Sequence, residues 1–247
     1  MKISLCIPMY NESSIVRATV GTVFEAMEKL SHDTGYEYEV LFSNDGSTDD
    51  CAALAREEIE RLGAADRMRV TGYEQNRGKG AAVRHAVLES CGDVVIYTDC
   101  DLAYGTDVVG EAARRFDPPK TDLVIGSRNM SDDGYEGYTF IRKLASKIYI
   151  KVLCIVAGFK LSDSQCGFKA FSGDAARRVF SEVETDGFAF DIEVIMTAIS
   201  LGYTIGEMPV KIVNHRESKI HVFSDSIKMV RDLLHIKKMV KERSRRR

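Results

Sequence analysis

No stretch of this chain approaches the roughly 18 consecutive apolar residues that a bilayer-spanning helix needs. The longest greasy run, 148–159, is interrupted by Lys151. The six cysteines (Cys6, Cys51, Cys91, Cys100, Cys154 and Cys166) form no C-x-x-C pair, which leaves no zinc motif. No secretory leader precedes them, so reduced thiols in a cytoplasmic setting are expected. No G-x-G-x-x-G follows the first apolar run, and Gly78-Lys79-Gly80 lacks Walker A spacing, so neither a dinucleotide nor a P-loop site is indicated. Internal repeats and low-complexity linkers are also missing.

An excess of positive charge is found at the C-terminal end. Residues 237–247 carry seven basic side chains against Glu242, a local charge of +6, within a chain of formal net charge −3. The other 236 residues therefore stand at −9, which argues against a nucleic-acid-binding body. A basic tail behind an apolar helical pattern suits an anionic membrane surface; a frayed, solvated terminus is the plainer alternative. Residues 1–236 are expected as one domain and 237–247 as a tail.

What is present is an ordinary globular composition, 45% hydrophobic and 29% charged over 247 residues, enough for one large α/β domain. Apolar runs at 2–7, 38–43, 67–73, 93–96, 122–125 and 204–213 read as strands, the last demoted to an edge or a bulge by Pro209. Helical patterns fall at 15–30, to about 62, 81–90, 105–116, 139–159, from 174, 188–201 and 222–240, the first capped by Ser13 or Ser14. The Gly- and Asp-rich stretch 129–137 reads as a loop. Strands alternating with helices predict a parallel sheet of βαβ units, whose site forms at the strands' carboxyl ends.

There, Asp99 and Asp101 follow the strand at 93–96 and offer hard oxygen ligands to Mg²⁺ or Mn²⁺, which would hold a diphosphate. A lone D-x-D is also compatible with a solvated strand end. Gly78-Lys79-Gly80 opens a helix and suits close approach to a phosphate. Asp191 and Glu193 open another helix, as complements of its dipole or, for Asp191, as a base.

The order of motifs resembles a known family. Ile7-Pro8-Met9-Tyr10-Asn11-Glu12, Asn44-Asp45-Gly46-Ser47, Asn76-x-Gly78-Lys79-Gly80, Asp99-x-Asp101 and Gly126-Ser127-Arg128 are similar to the inverting GT-A glycosyltransferases of family two. The segments DSQCGFKAF (163–171), FAFDIE (188–193) and ESKI (217–220) resemble its polyprenyl-phosphate branch, most of all the dolichyl-phosphate β-glucosyltransferases. The resemblance implies a GT-A fold, a mainly parallel sheet flanked by helices with amphipathic C-terminal helices. It also implies a metal-dependent hexosyltransferase moving glucose from UDP-glucose to a dolichyl- or undecaprenyl-type phosphate. A GDP-mannose-dependent mannosyltransferase and transfer to a saccharide hydroxyl are the alternatives.

By the same resemblance Pro8, Tyr10, Glu12, Asp45 and Lys79 line the nucleotide pocket, Asp45 suiting a uracil N–H or a ribose hydroxyl. Asp99 faces the nucleotide sugar and Asp101 the metal. Arg128, Arg142, Ser146 and Lys219 match positions that meet the acceptor phosphate or the donor's diphosphate; Asp191 is a secondary catalytic candidate. Two departures stand out: Asn44 where relatives usually carry Asp, and Ala103 where mannosyl-transferring relatives often place a metal-ligating Gln. The implied enzyme works in the cytoplasm, peripherally at the inner face of a membrane.

Overall fold

A computed structural model describes residues 1–118, 121–131, 150, 154, 155, 157–214 and 222–247, the last helix by its backbone alone up to residue 231. In chain order they form β1 (Lys2–Met9), α1 (Val16–Thr34), β2 (Glu37–Asp45), α2 (Cys51–Arg61), β3 (Met68–Tyr73), α3 (Lys79–Glu89), β4 (Val94–Tyr97) and α4 (Asp107–Arg114). β5 (Leu123–Ser127), a 3-10 turn (Arg128–Met130), β6 (Lys169–Ser172), α5 (Gly173–Phe180), α6 (Phe190–Ser200), β7 (Ile205–Pro209) and α7 (Val222–Arg246) follow.

The strands make one sheet in the order β3-β2-β1-β4-β6-β5-β7. β1, β2, β3 and β4 pair in parallel, as do β5 and β7, while β6 runs antiparallel to both of its neighbours. Side chains alternate across the sheet. Ile3, Leu5, Ile7, Val40, Phe42, Val94 and Ile96 pack beneath α1, α2 and α4. Cys6, Leu41, Val95, Tyr97, Leu123 and Ile125 pack on the other face with α3, α5, α6 and α7. Both faces are covered, so the strands read as nearly continuous apolar runs.

Four elements differ from the sequence reading. β6 was expected only as the approach to a helix; it is four residues long and begins on a lysine, and its strand character comes from its two neighbours. β7 stops at Pro209 on the sheet edge, four residues short of the expected end, and Pro209 closes it without interrupting a ladder. α1 has no serine cap. Its first turn hangs on the Glu12 carbonyl, which accepts from Ile15 and Val16, while the Ser13 N–H is drawn to Asp49.

The fourth is the basic tail, which is the end of α7 rather than a separate segment. Leu233, Ile236 and Val240 bury its inner face, and Arg243 and Arg247 pair with Glu193 and Glu182 of the body. Of the helix expected at 139–159, residues 150, 154, 155 and 157 are helical and the rest lies outside the described residues, as does the loop at 129–137 from 132 on. No described helix is long and apolar enough to cross a membrane.

At the amino ends of the parallel strands, buried Glu39 accepts from Ser4 Oγ (2.6 Å), the Cys91 N–H (2.7 Å) and Arg69 (2.8 Å). Burial alone would raise its carboxyl, but these donors outweigh burial and hold it down to about 2. A depressed folded-state pKa gives stability that is full above the unfolded value of about 4.3 and fades as pH falls toward 2. Glu39→Gln is therefore expected to cost about 2–3 kcal/mol at neutral pH, with the difference from wild type narrowing below about pH 5. Urea titrations across that range check it; a pH-independent difference contradicts it.

Candidate active site

The carboxyl ends of β1, β2, β4 and β5 carry the side chains singled out by sequence. Pro8 is the penultimate residue of β1 and half-buried, and Tyr10 just beyond the strand is 41% exposed. Glu12 follows, half-buried. Asp45 is the last residue of β2, Asp99 and Asp101 follow β4, and Arg128 follows β5. Lys79 is the first residue of α3. Arg142, Ser146 and Lys219 lie outside the described residues.

Lys79 joins two of these ends. Its Nζ meets Asp99 Oδ1 at 2.5 Å, with both side chains mostly shielded. Burial works against the ammonium charge, but Asp99 and then Asp191 more than compensate, and the Lys79 pKa stands above the ordinary lysine value. Asp101 has the opposite imbalance. Burial raises its carboxyl, Asp99 raises it further and Glu12 adds to the effect, against the Ala103 N–H (3.1 Å) and Lys79. The locus around Asp101 is thus short of positive charge, which suits a hard divalent cation. No group of three or more His, Cys, Asp or Glu side chains among the described residues forms a metal cage, so such a cation would take its remaining ligands from phosphate oxygens and water. Ala103 serves through its backbone: its carbonyl accepts the Val213 N–H at 2.8 Å and so ties the Asp101 loop to the segment after β7.

Residues 163–168, which lead into β6, supply a wall that the sequence did not assign. A Cβ built on Gly167 would stand 2.2 Å from Asp99 Oδ2, so any side chain at 167 displaces that carboxylate. The Gly167 N–H donates to the Tyr104 hydroxyl at 3.2 Å. Asp163 has no solvent exposure and grips Arg128 by both oxygens, Nε at 2.6 Å and Nη2 at 3.0 Å. The planar fork expected to meet a phosphate is therefore already engaged by a carboxylate. Asp163, Tyr104 and Gly167 are neighbours of the candidate site that sequence reasoning missed. Asp163 and Gly167 stand inside the DSQCGFKAF segment, but that match carried no roles for single residues.

Asp45 is likewise engaged by its own chain. Its carboxylate accepts from Tyr73 OH (2.6 Å), Asn76 Nδ2 (2.9 Å), the Arg77 N–H (3.0 Å) and the Gly78 N–H (2.9 Å), close to the capacity of two oxygens. It shapes the turn before α3. Gly78 and Gly80 admit protein backbone: a Cβ on either would strike the Asp186 or the Thr185 carbonyl, at 2.6 and 2.5 Å. Asp191 is buried, its Oδ1 accepting from Tyr97 OH (2.6 Å) and Lys169 Nζ. Glu193 is more than a dipole complement, since it accepts from the Glu184 and Thr185 N–H groups and from Arg243.

Asp163 has no solvent exposure and the Arg128 side chain is only 12% exposed, so the pair is largely withdrawn from water. Removing one member of such a pair leaves the other uncompensated and costs about 3–5 kcal/mol. Asp163→Asn is expected to lose stability in that range, and Asp163→Asn with Arg128→Met to recover most of it. Equilibrium denaturation of the three proteins checks the coupling; additive losses contradict it.

A family model described as "Glycosyl transferase family 2" matches residues 4–180. The chain is 31% identical over 244 residues to a dolichyl-phosphate beta-glucosyltransferase of Dictyostelium discoideum, covering 95% of this chain and 73% of that protein. Mannosyl-3-phosphoglycerate synthase from Rubrobacter xylanophilus superposes with a TM-score of 0.69 at 16% identity, over 99% of this chain and 75% of that one. Glucosyl-3-phosphoglycerate synthase from Mycobacterium tuberculosis, solved with Mn²⁺, UDP-glucose and phosphoglyceric acid, gives a TM-score of 0.69 at 21% identity, over 96% and 80%. The sheet is the GT-A sheet expected from the motifs, the family pattern spans well over half of its residues, and this chain belongs to glycosyl transferase family 2.

Proposed function

We propose that the chain transfers glucose from UDP-glucose to the phosphate of a polyprenyl lipid, with inversion at the anomeric carbon and with Mg²⁺ or Mn²⁺ at Asp101. The observation that carries this reading is the cluster at the end of β4: a carboxyl short of positive charge beside a second carboxylate held by Lys79. Similarity to the Dictyostelium dolichyl-phosphate beta-glucosyltransferase over nearly the whole chain supplies the substrate class.

In this reading the bond from the anomeric carbon to the diphosphate breaks while a lipid phosphate oxygen bonds from the opposite face. UDP leaves carrying the electron pair. A divalent cation held by Asp101 would supply the positive charge that offsets the diphosphate. Lys79 adds a second cation on the Asp99 side. Tyr10 offers its exposed ring to the base, with Pro8 and Glu12 beside it on the same loop. A phosphate monoester, with a second pKa of about 6, is largely dianionic at neutral pH and needs no base to remove a proton. Asp191 supports the choice of phosphate over hydroxyl, because its carboxylate is buried and ion-paired with Lys169 rather than open to a substrate proton. Arg142, Ser146 and Lys219 are assigned to the acceptor phosphate by resemblance, as is Arg128, whose guanidinium is anchored on Asp163.

The lipid is reached from the cytoplasmic surface of a membrane. Lys237, Lys238, Lys241, Arg245 and Arg246 are all exposed on the outer face of α7, which supports docking on anionic lipid.

With Mn²⁺ present, UDP is expected to raise the melting temperature more than GDP does; a larger effect of GDP overturns the donor assignment. Radiolabelled UDP-glucose and a short polyprenyl phosphate should yield an organic-extractable product that Asp101→Ala does not make. Label entering a saccharide acceptor instead would reject the lipid.

Membrane docking is tested by substitution rather than deletion, because removing residues 237–247 also strips Arg243 from buried Glu193. Each basic side chain near an anionic surface is worth about 1 kcal/mol, so changing Lys237, Lys238 and Lys241 together to Gln is expected to weaken sedimentation with anionic vesicles about a hundredfold. Unchanged sedimentation refutes the docking face.

A further inference from the structure

Lys169 has no solvent exposure, and the chemistry above makes no use of it. Its ammonium donates to Asp191 Oδ1 and, at 2.8 Å, to the Cys166 carbonyl, and it lies 5.5 Å from the centre of the Tyr97 ring. Tyr97 donates to the same Asp191 oxygen at 2.6 Å. Taking two charges out of water costs several kcal/mol per ion, and a well-packed neutral pair of similar volume is often no less stable. Stability therefore does not account for a lysine in the middle of a sheet.

Its contacts do share a destination. Tyr97 lies two residues before Asp99 on β4. Cys166 is next to Gly167, whose backbone presses on the Asp99 carboxylate. Asp191 adds to the negative charge that raises the Lys79 pKa, and Lys79 pairs with Asp99. Cationic and anionic side chains thus alternate from the interior to the site: Lys169, Asp191, Lys79, Asp99.

We infer that Lys169 is a positioning residue for sugar transfer: through Asp191 and the Cys166 carbonyl it fixes the turn behind Asp99 and holds the counter-charge that aims Lys79. This rests on the reading of Asp99 and Lys79 as donor-binding groups. A structural role alone would show in thermal stability and leave the folded enzyme's turnover intact. A positioning role shows in turnover and nucleotide affinity of protein that remains folded.

Lys169→Met with Asp191→Asn removes both charges and keeps the volume. That variant is expected to fold, with kcat for glucose transfer down about thirtyfold and UDP affinity in the presence of Mn²⁺ down about fivefold, the scale on which supporting residues act. Lys169→Arg keeps the charge but cannot repeat both bonds in the same space, and is expected to fall between the double variant and wild type. A folded double variant with wild-type kcat and UDP affinity overturns the proposal. If the double variant does not fold, Lys169→Arg decides in the same way, and unchanged kcat and affinity overturn it. A wild-type protein that moves no glucose from UDP-glucose counts against the reaction and not against Lys169. The calorimetric UDP affinity of the variants then gives the answer: weakened affinity supports the positioning role, unchanged affinity removes it.

Discussion

The antiparallel pairing of β6 between β4 and β5 is the constraint on which the site depends. Every other strand delivers to the site the segment that follows it, as parallel strands do. β6 runs the other way, so it delivers the segment that precedes it. Residues 163–168 thereby arrive beside Asp99 and Arg128, and Lys169 takes its place opposite Tyr97 on one side and Ile125 on the other. Without that reversal Gly167 would have no approach to Asp99, and Asp163 none to Arg128.

The electrostatics follow from this arrangement. Carboxylates at the end of β2 and in the segment before β6 are answered within the chain, Asp45 by a turn of N–H and hydroxyl donors and Asp163 by a guanidinium. At the end of β4 the balance is left open, since Asp99 has Lys79 while the Asp101 carboxyl stays raised by burial and by Asp99. That imbalance is the physical ground for proposing a cation at Asp101.

The parallel half of the sheet and the carboxylates after β4 were legible because they depend on local signals: β-branched runs of the right length, alternating helices, and polar residues at strand tips. β6 was not legible, because Lys-Ala-Phe-Ser carries neither alternation nor a full apolar run. Its register is set by β4 and β5, far away in sequence. Arg128, read as open to a phosphate, needed knowledge of where Asp163 lands. Gly78 and Gly80 were read as admitting a phosphate, whereas the group packed against them is the Thr185–Asp186 backbone, which is distant in sequence. Composition separated a basic tail from an acidic body, and the i, i+3, i+7 spacing of Leu233, Ile236 and Val240 shows instead a helix with one buried stripe.

That helix joins the two ends of the proposed reaction. Its exposed lysines face outward, while Arg243 turns inward to Glu193, which has no solvent exposure. Glu193 in turn holds the Glu184 and Thr185 N–H groups, and the backbone of Thr185 and Asp186 fills the space over Gly78 and Gly80 on either side of Lys79. Arg77 and Arg84 fasten the same loop through Asp186. A continuous set of hydrogen bonds and ion pairs therefore runs from α7 to the start of α3. Because an uncompensated Glu193 would leave a buried charge facing two backbone donors, α7 cannot lift from the body without loosening the loop that seats Lys79. Attachment of α7 to an anionic surface would act on a face of the helix distinct from the one that supports the loop beside Lys79, so the proposed docking and the proposed catalysis would not compete for the same side chains.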